Sequence, residues 1–186
     1  TALIDNASGV VRGTGTMQRY LAPGLTSGSG YRHYSAPVST TTVADLTTSG
    51  YTPVVNPAYN TSAQPNLVTP FPTVFGYAED RLSASPATNS SEFDKGWYSP
   101  ATLAEPMTVG RGFTAWVPNG TLIDFTGTFT NGPVMLNGLS RGPQTDAGWQ
   151  LLGNPYPAPL DWNLVSPAER PGLDAAVYVF QSTGPY

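Results

Sequence analysis

Two pairs of acids raise the question of catalysis: Glu79 and Asp80 are adjacent, and Glu92 and Asp94 are separated by one residue. A glycoside hydrolase needs two such carboxyl groups facing one another across a cleft, about 5 to 9.5 Å apart, one giving a proton and the other acting as base or nucleophile. All four lie in loop or strand-end stretches, where solvated charge is the ordinary reading and a catalytic or Ca²⁺-ligating role requires convergence in space. Asp124 in "DFTGTFTNG" starts a faintly calcium-loop-like run, but it is expected inside a strand and no acid follows at ligand spacing. His33, the single histidine, has Ser35 near it but no G-x-S-x-G elbow, so a structural histidine on a strand face is expected. The glycines of "GTGT" (13–16) and "GSG" (28–30) lack the lysine and following helix of a phosphate loop and read as turns. Asn6, Asn60, Asn89 and Asn119 each head an N-x-S/T triplet, which abundant Ser and Thr produce by chance.

Aromatic rings offer the other chemistry, with four Trp, ten Tyr and seven Phe. Trp and Tyr faces stack on sugar rings, so an outward ring is a candidate platform. In "RGFTAWVP" (111–118), Phe113, Ala115 and Val117 alternate with Thr114 and Trp116. With the first set facing a core, Trp116 points to solvent and is the candidate ligand-binding residue. Trp97, Trp149 and Trp162 sit beside glycine or proline corners and are expected to be core pegs. In "GWQLLGNPYPAPLDW" (148–162), Gly148 admits the chain to a strand anchored by Trp149, Leu151 and Leu152. Asn154 precedes Pro155, which steers it away from the helical region, and its amide can bond backbone groups of the corner. Tyr156 and Pro157 then close over the edge. Trp149, Asn154, Pro155, Tyr156 and Trp162 therefore form a structural corner.

The elements that would carry these residues are strands. Gly and Pro, 20 and 19 of 186 residues, interrupt nearly every window long enough for a helix. Strands are expected over 10–21, 31–37, 52–56, 73–77 and from 97, then over 111–118, 133–139, 149–152 and 175–181, the last buried by its β-branched and aromatic content. Asn119-Gly120 predicts a type I′ hairpin joining 111–118 to "TLIDFTGTFT", and Asn131-Gly132 a further turn that makes a meander. "TTTVADL" (40–46) is the best short helix, and "LDWNLV" a short helical or irregular turn. The fold class expected is all-β: an antiparallel, jelly-roll-like β-sandwich, loop-rich, with one or two short helices, as a single domain over 1–186.

Charge narrows the function classes. Charged residues are 11% of the chain, against roughly 25% in an average domain, and Lys95 is the single lysine. Such a surface is weakly protected against self-association and suits a wall, matrix or filament component. A net charge of −4 with eight dispersed cations gives no basic stripe, so neither nucleic acid nor anionic membrane is an expected partner. Zero cysteine removes disulfides and thiolate or Cys-metal chemistry, and one histidine leaves no His-rich metal site, so no cofactor and no metal are expected. No run reaches the roughly 18 to 20 apolar residues of a membrane-spanning helix, and the chain reads as a mature or excised piece.

The segment "GWQLLGNPYPAPLDW" also resembles a Gly-Trp-x-Leu-x-Gly-Asn-Pro-Tyr-Pro signature of large secreted Bacteroidota proteins that end in a type IX secretion sorting domain. "YRHYSAPVSTTTVADL", "FPTVFGYAE", "KGWYSP" and "VGRGFTAWVP" followed by "FTGTFTNG" fit the same pattern in order, over most of 10–180. The resemblance implies export to the outer cell surface or medium and assigns no catalytic residue. Related sequences continue with more β-structure beyond the segment like "AAVYVFQSTGPY". Three readings stay open: the chain is cut, its remainder is disordered, or another molecule supplies the missing strand. The expected function is a non-enzymatic surface module for adhesion or extracellular assembly, with self-association or a matrix or glycan partner and, in one form, a filament built by strand exchange. A carbohydrate-binding module using Trp116 is the first alternative, and a hydrolase with a carboxylate pair the second.

Overall fold

The computed structural model describes residues 11–23 and 30–179. Six strands form two antiparallel sheets, joined by short 3-10 turns and one short helix, α1 (Arg81–Ala84). The smaller sheet pairs β1 (Gly15–Tyr20) with β6 (Leu122–Gly127), running from Gly15 opposite Gly127 to Tyr20 opposite Leu122. Side chains of a strand alternate between faces. Ile123 and Phe125 are accordingly buried, while outside the Thr16 and Thr126 hydroxyls share a 2.7 Å hydrogen bond and Gln18 donates to Asp124 at 3.0 Å.

The larger sheet runs β2 (Tyr31–Tyr34), β5 (Phe113–Trp116), β3 (Val74–Tyr77), β4 (Trp97–Tyr98). β5 is central: Phe113 lies between Tyr34 and Gly76, and Ala115 between Arg32 and Val74. Phe113, Ala115, Val117 and Val74 meet Ile123 and Phe125 of the other sheet in one core, closed by Val38, Val43, Leu46 and Met107. Burying side chains of this size stabilises by about 1.5–3 kcal/mol each, which is what holds two small sheets face to face. The all-β, antiparallel, loop-rich architecture is the one expected.

Several elements differ from expectation. The β5–β6 hairpin does not form: β5 already has β2 and β3 on its two edges, and β6 pairs with β1 in the other sheet. Of the turn pair only Gly120 takes a positive φ, +75°, whereas type I′ needs it at both central residues. Gly120 N–H instead donates to Leu21 O at 2.7 Å and Leu21 N–H to Thr121 O at 2.9 Å, so the turn carries the chain across the core from one sheet to the other. Residues 52–56 and 133–139 form no strand; Gly138 takes a φ of +72°, and Pro133 has no N–H to give a ladder. In 149–152 only Leu152 bridges, to Arg111. The described part of the expected buried strand, 175–179, is exposed and forms no bridge among the described residues, and the last two residues of that expected strand lie outside the described ones. Residues 43–46 make one 3-10 turn (Val43–Leu46), with the Asp45 carboxylate accepting from Thr42 N–H at 2.8 Å; Trp162–Leu164 makes another. Among the described residues no helix is long and apolar enough to cross a membrane.

Candidate functional site

Three places gather the residues singled out by their chemistry. The first is the outer face of the larger sheet, where Trp116 points outward and is 39% exposed. Its ring is fixed: Tyr31 lies opposite in register, and the Tyr51 ring meets it edge-on with centroids 5.5 Å apart. The Tyr51 hydroxyl donates to the Trp116 backbone oxygen and shares a 2.8 Å hydrogen bond with the Thr73 hydroxyl. Phe75 shares this face and is covered by Tyr59 at 5.1 Å, Phe71 at 5.8 Å and Tyr31 at 6.1 Å. The result is an aromatic floor whose exposed members are Trp116 and Phe71, with Tyr31, Tyr51 and Tyr59 half-buried around the buried Phe75.

The second place is a cleft of about 460 Å³ between the ends of β3 and β5 and the 138–151 loop, lined by Glu79, Asp80, Tyr98, Arg111, Ser140 and Gln150 among others. Glu79 is 4% exposed, which corrects the reading of that residue as solvated charge. Its carboxylate accepts from the Gly142 N–H, from the Ser140 hydroxyl at 2.6 Å and from the Gly148 N–H, and these bonds hold its pKa below the ordinary 4.5. The loop folds back over the strand end because this one acceptor satisfies several of its donors. Gln150 Nε2 bonds Ser140 O at 2.7 Å and Arg111 bonds Asn137 O at 2.6 Å, bracing the same loop. Asp80 is exposed on the rim.

The other sequence candidates do not enter this cleft. Glu92 pairs with Lys95 at 2.6 Å and Asp94 accepts from Ser91 at 2.7 Å, both within one turn. Asp124 lies inside β6 and bonds Gln18. His33 lies opposite Thr114 on the outer face, and partial burial lowers its pKa below 6.5. Ser35 donates to Asn154 O at 3.0 Å. Both amide atoms of Asn60 bond the Ser99 backbone, Asn89 donates to Asn66, and Asn119 accepts from Arg32; Asn6 lies outside the described residues. Among the described residues no three His, Cys, Asp or Glu come together in a way that could hold a metal ion.

The third place is the Gly-Asn-Pro-Tyr corner. Asn154 Nδ2 donates to Ala158 O at 2.7 Å and Oδ1 accepts from Tyr156 N–H at 3.0 Å, so one amide closes the turn around Pro155 from both sides. The Tyr156 hydroxyl donates to Gly132 O at 2.9 Å, and residues 151–153 pair with 110–112, beside the start of β5. Trp162 is half-buried and donates from Nε1 to Ala175 O at 2.7 Å. Trp149 corrects the core-peg expectation: it is 43% exposed and meets Phe93 and Tyr178 edge-on at 6.1 and 5.1 Å. Trp97 is half-buried against Tyr77 and Phe93.

Sequence reasoning missed the Glu79 clamp and the aromatic floor around Phe75. Only the floor left a signal, the density of Tyr and Phe between 51 and 77. Fold and sites together define an all-β protein of two antiparallel sheets with one aromatic outer face and one clamped cleft. Comparison with known family models, with curated proteins and with solved structures finds no match.

Proposed function

We propose that this chain is a non-enzymatic module that works outside the cell, at the outer surface, in adhesion or in assembly of an extracellular structure. The observation that carries the reading is the surface of the 174–179 segment: Val177, Tyr178 and Val179 are 56%, 72% and 85% exposed. Residues 176–179 make no backbone hydrogen bond to any described residue. β-branched and aromatic side chains held together in water mark an interaction surface. The low charge of the chain supports the same reading, and the resemblance of residues 148–162 supports the location. Glu79, the buried carboxylate of the cleft, already has donors on both oxygens, which supports a clamping role over a catalytic one.

Sedimentation velocity with electron microscopy of the purified protein tests the proposal. Concentration-dependent association or filaments are expected, weakened by Tyr178→Lys. A chain that stays monomeric at high concentration and binds neither cells nor matrix refutes it. Protease shaving of intact cells tests the location separately. A second reading, carbohydrate binding through Trp116, is favoured by the fixed, partly exposed indole on an aromatic floor. A glycan array with wild type and Trp116→Ala decides it.

A further inference from the structure

Polar groups that the fold itself does not use line the cleft between the ends of β3 and β5. Its volume of about 460 Å³ lies within the range of roughly 300–1,000 Å³ typical of small-molecule sites. Tyr98 enters it from β4, where it lies opposite Gly76. The ring packs against a residue without a side chain: a β-carbon at position 76 would lie 2.5 Å from the Tyr98 hydroxyl. That hydroxyl has no partner among the described residues, and burial raises its pKa, so its proton stays on to be donated. Arg111, just before β5, uses Nη2 to hold Asn137 O at 2.6 Å, which fixes the guanidinium and leaves Nε and Nη1 open to solvent. Gln150 uses Nε2 on Ser140 O at 2.7 Å and keeps Oε1 as an acceptor. Asp80 stands at the N-cap of α1, yet its side chain makes no capping bond, so its carboxylate is unengaged at the rim.

This lining disfavours a charged ligand, because an anion meets Asp80 and a cation meets Arg111. It also disfavours an extended peptide, whose usual grip is the backbone ladder. Here the backbone is already paired: Gly112 N–H donates to Leu151 O, Arg111 N–H to Thr108 O and Ala78 N–H to Gly96 O, each at 2.9 Å. What fits is a neutral molecule whose groups both give and accept hydrogen bonds and whose carbon skeleton can rest on the Tyr98 ring and Leu151, which is the chemistry of a sugar ring. We propose that the cleft is a binding site for a neutral sugar residue, with Asp80 and Gln150 Oε1 accepting from its hydroxyls, Arg111 and Tyr98 donating to them, and Tyr98 and Leu151 packing against its C–H groups. Glu79 takes no part, since both its oxygens are held by Ser140 and Gly142. One unengaged carboxylate cannot supply both the acid and the base of hydrolysis, so the sugar is held and not cleaved. The site is separate from Trp116, on the outer face of the sheet, and from the exposed 174–179 segment.

Ligand-observed NMR titrations of the whole chain at fixed ionic strength test the site. The probes are the methyl glycosides of glucose, galactose and mannose, with sodium glucuronate, glucosamine hydrochloride and N-acetyl-trialanine amide for comparison. Saturable binding of at least one neutral glycoside is expected, weakened about tenfold by Asp80→Asn and severalfold by Tyr98→Phe, and unchanged by Arg12→Gln. Arg111 also braces Asn137, so Asp80→Asn and Tyr98→Phe, which keep the shape of their side chains, carry the test. No saturable binding of any neutral glycoside, tighter binding of glucuronate, glucosamine or the peptide than of every neutral glycoside, or binding that both cleft variants leave unchanged overturns the proposal. A loss on Trp116→Ala with no effect of either cleft variant assigns the sugar to the aromatic floor and overturns it too. Self-association through 174–179 is read separately, by sedimentation, and neither result decides the other.

Discussion

Gln18 on β1 lies opposite Asp124 on β6, the amide donating to the carboxylate at 3.0 Å on the outer face of the smaller sheet. The strand that follows the Asn119-Gly120 turn has thus crossed the core to find its partner. Directly opposed residues of an antiparallel pair stand at Cα separations that a disulfide can span. Since the chain has no cysteine, Gln18→Cys with Asp124→Cys makes an unambiguous probe. Spontaneous oxidation is expected, closing a loop of about 100 residues and stabilising by about 2–4 kcal/mol, less than the chain-entropy figure because an engineered bridge strains its surroundings. A non-reducing gel and a melting curve that falls back on reduction check it. Failure to oxidise would contradict the register.

Trp116→Ala separates ligand stacking from structure. The indole is partly exposed, so its truncation forfeits the Tyr51 edge contact and some apolar burial, about 1–2 kcal/mol. For a chain of this length that lowers Tm by about 2–8 °C and leaves a folded protein. Phe75→Ala, at the buried centre of the same floor, should cost about 3–5 kcal/mol instead. The ordering is the prediction, and equal losses would show that Trp116 is packed as deeply as Phe75.

Acid should weaken the fold in two stages. His33 has a folded pKa below 6.5 because partial burial disfavours its charged form, so its contribution is present above pH 6.5 and is lost as pH falls through that lowered value. Glu79 is held below 4.5 by the Gly142 N–H and the Ser140 hydroxyl, so its contribution is present above pH 4.5 and is lost as pH falls through its own lowered value. Glu79→Gln replaces one accepting oxygen with a donor and should cost about 1–3 kcal/mol at neutral pH. Denaturant midpoints from pH 2 to 8 should show the variant and wild-type curves converging in acid. Because His33 is the single histidine, its proton NMR titration is read without assignment, and a midpoint at or above 6.5 would remove the first stage.

Local chemistry in the sequence predicted local structure well and partner choice poorly. Alternation in residues 111–118 put Phe113, Ala115 and Val117 inside and Trp116 outside, as found, because the period of a strand is written in consecutive residues. Asn154 bonding its own corner was legible for the same reason: donor and acceptor lie within four residues. Asn119-Gly120 misled because its hairpin signal is local, while the pairing of β5 was decided by strands before and around it. Residues 175–179 have the composition of a buried strand, but composition does not say whether a free edge is within reach. Glu79 looked like solvated charge because the donors that enclose it arrive from Ser140, Gly142 and Gly148, remote in the chain.

The docking of the Gly-Asn-Pro-Tyr corner rests on the smallest contact in it. A β-carbon on Gly153 would lie 2.2 Å from Ser35 Cβ and 2.4 Å from its Oγ, so the two chains approach as closely as they do only because residue 153 is glycine. Gly153→Ala should therefore push 151–153 away from 110–112, straining the Gly153 N–H bond to Gly110 O and the Ser35 bond to Asn154 O, at about 1–3 kcal/mol. Ser35→Gly alone loses one hydrogen bond and gains chain entropy in the unfolded state, about 1–2 kcal/mol. In the double variant the clash is gone, so the combined loss should fall at least about 1 kcal/mol short of the sum of the single losses, a coupling that residues not in contact do not show. Chemical denaturation of the four proteins measures it. Simple additivity would mean that Gly153 is needed for its own backbone conformation, and that Ser35 is not what the corner rests against.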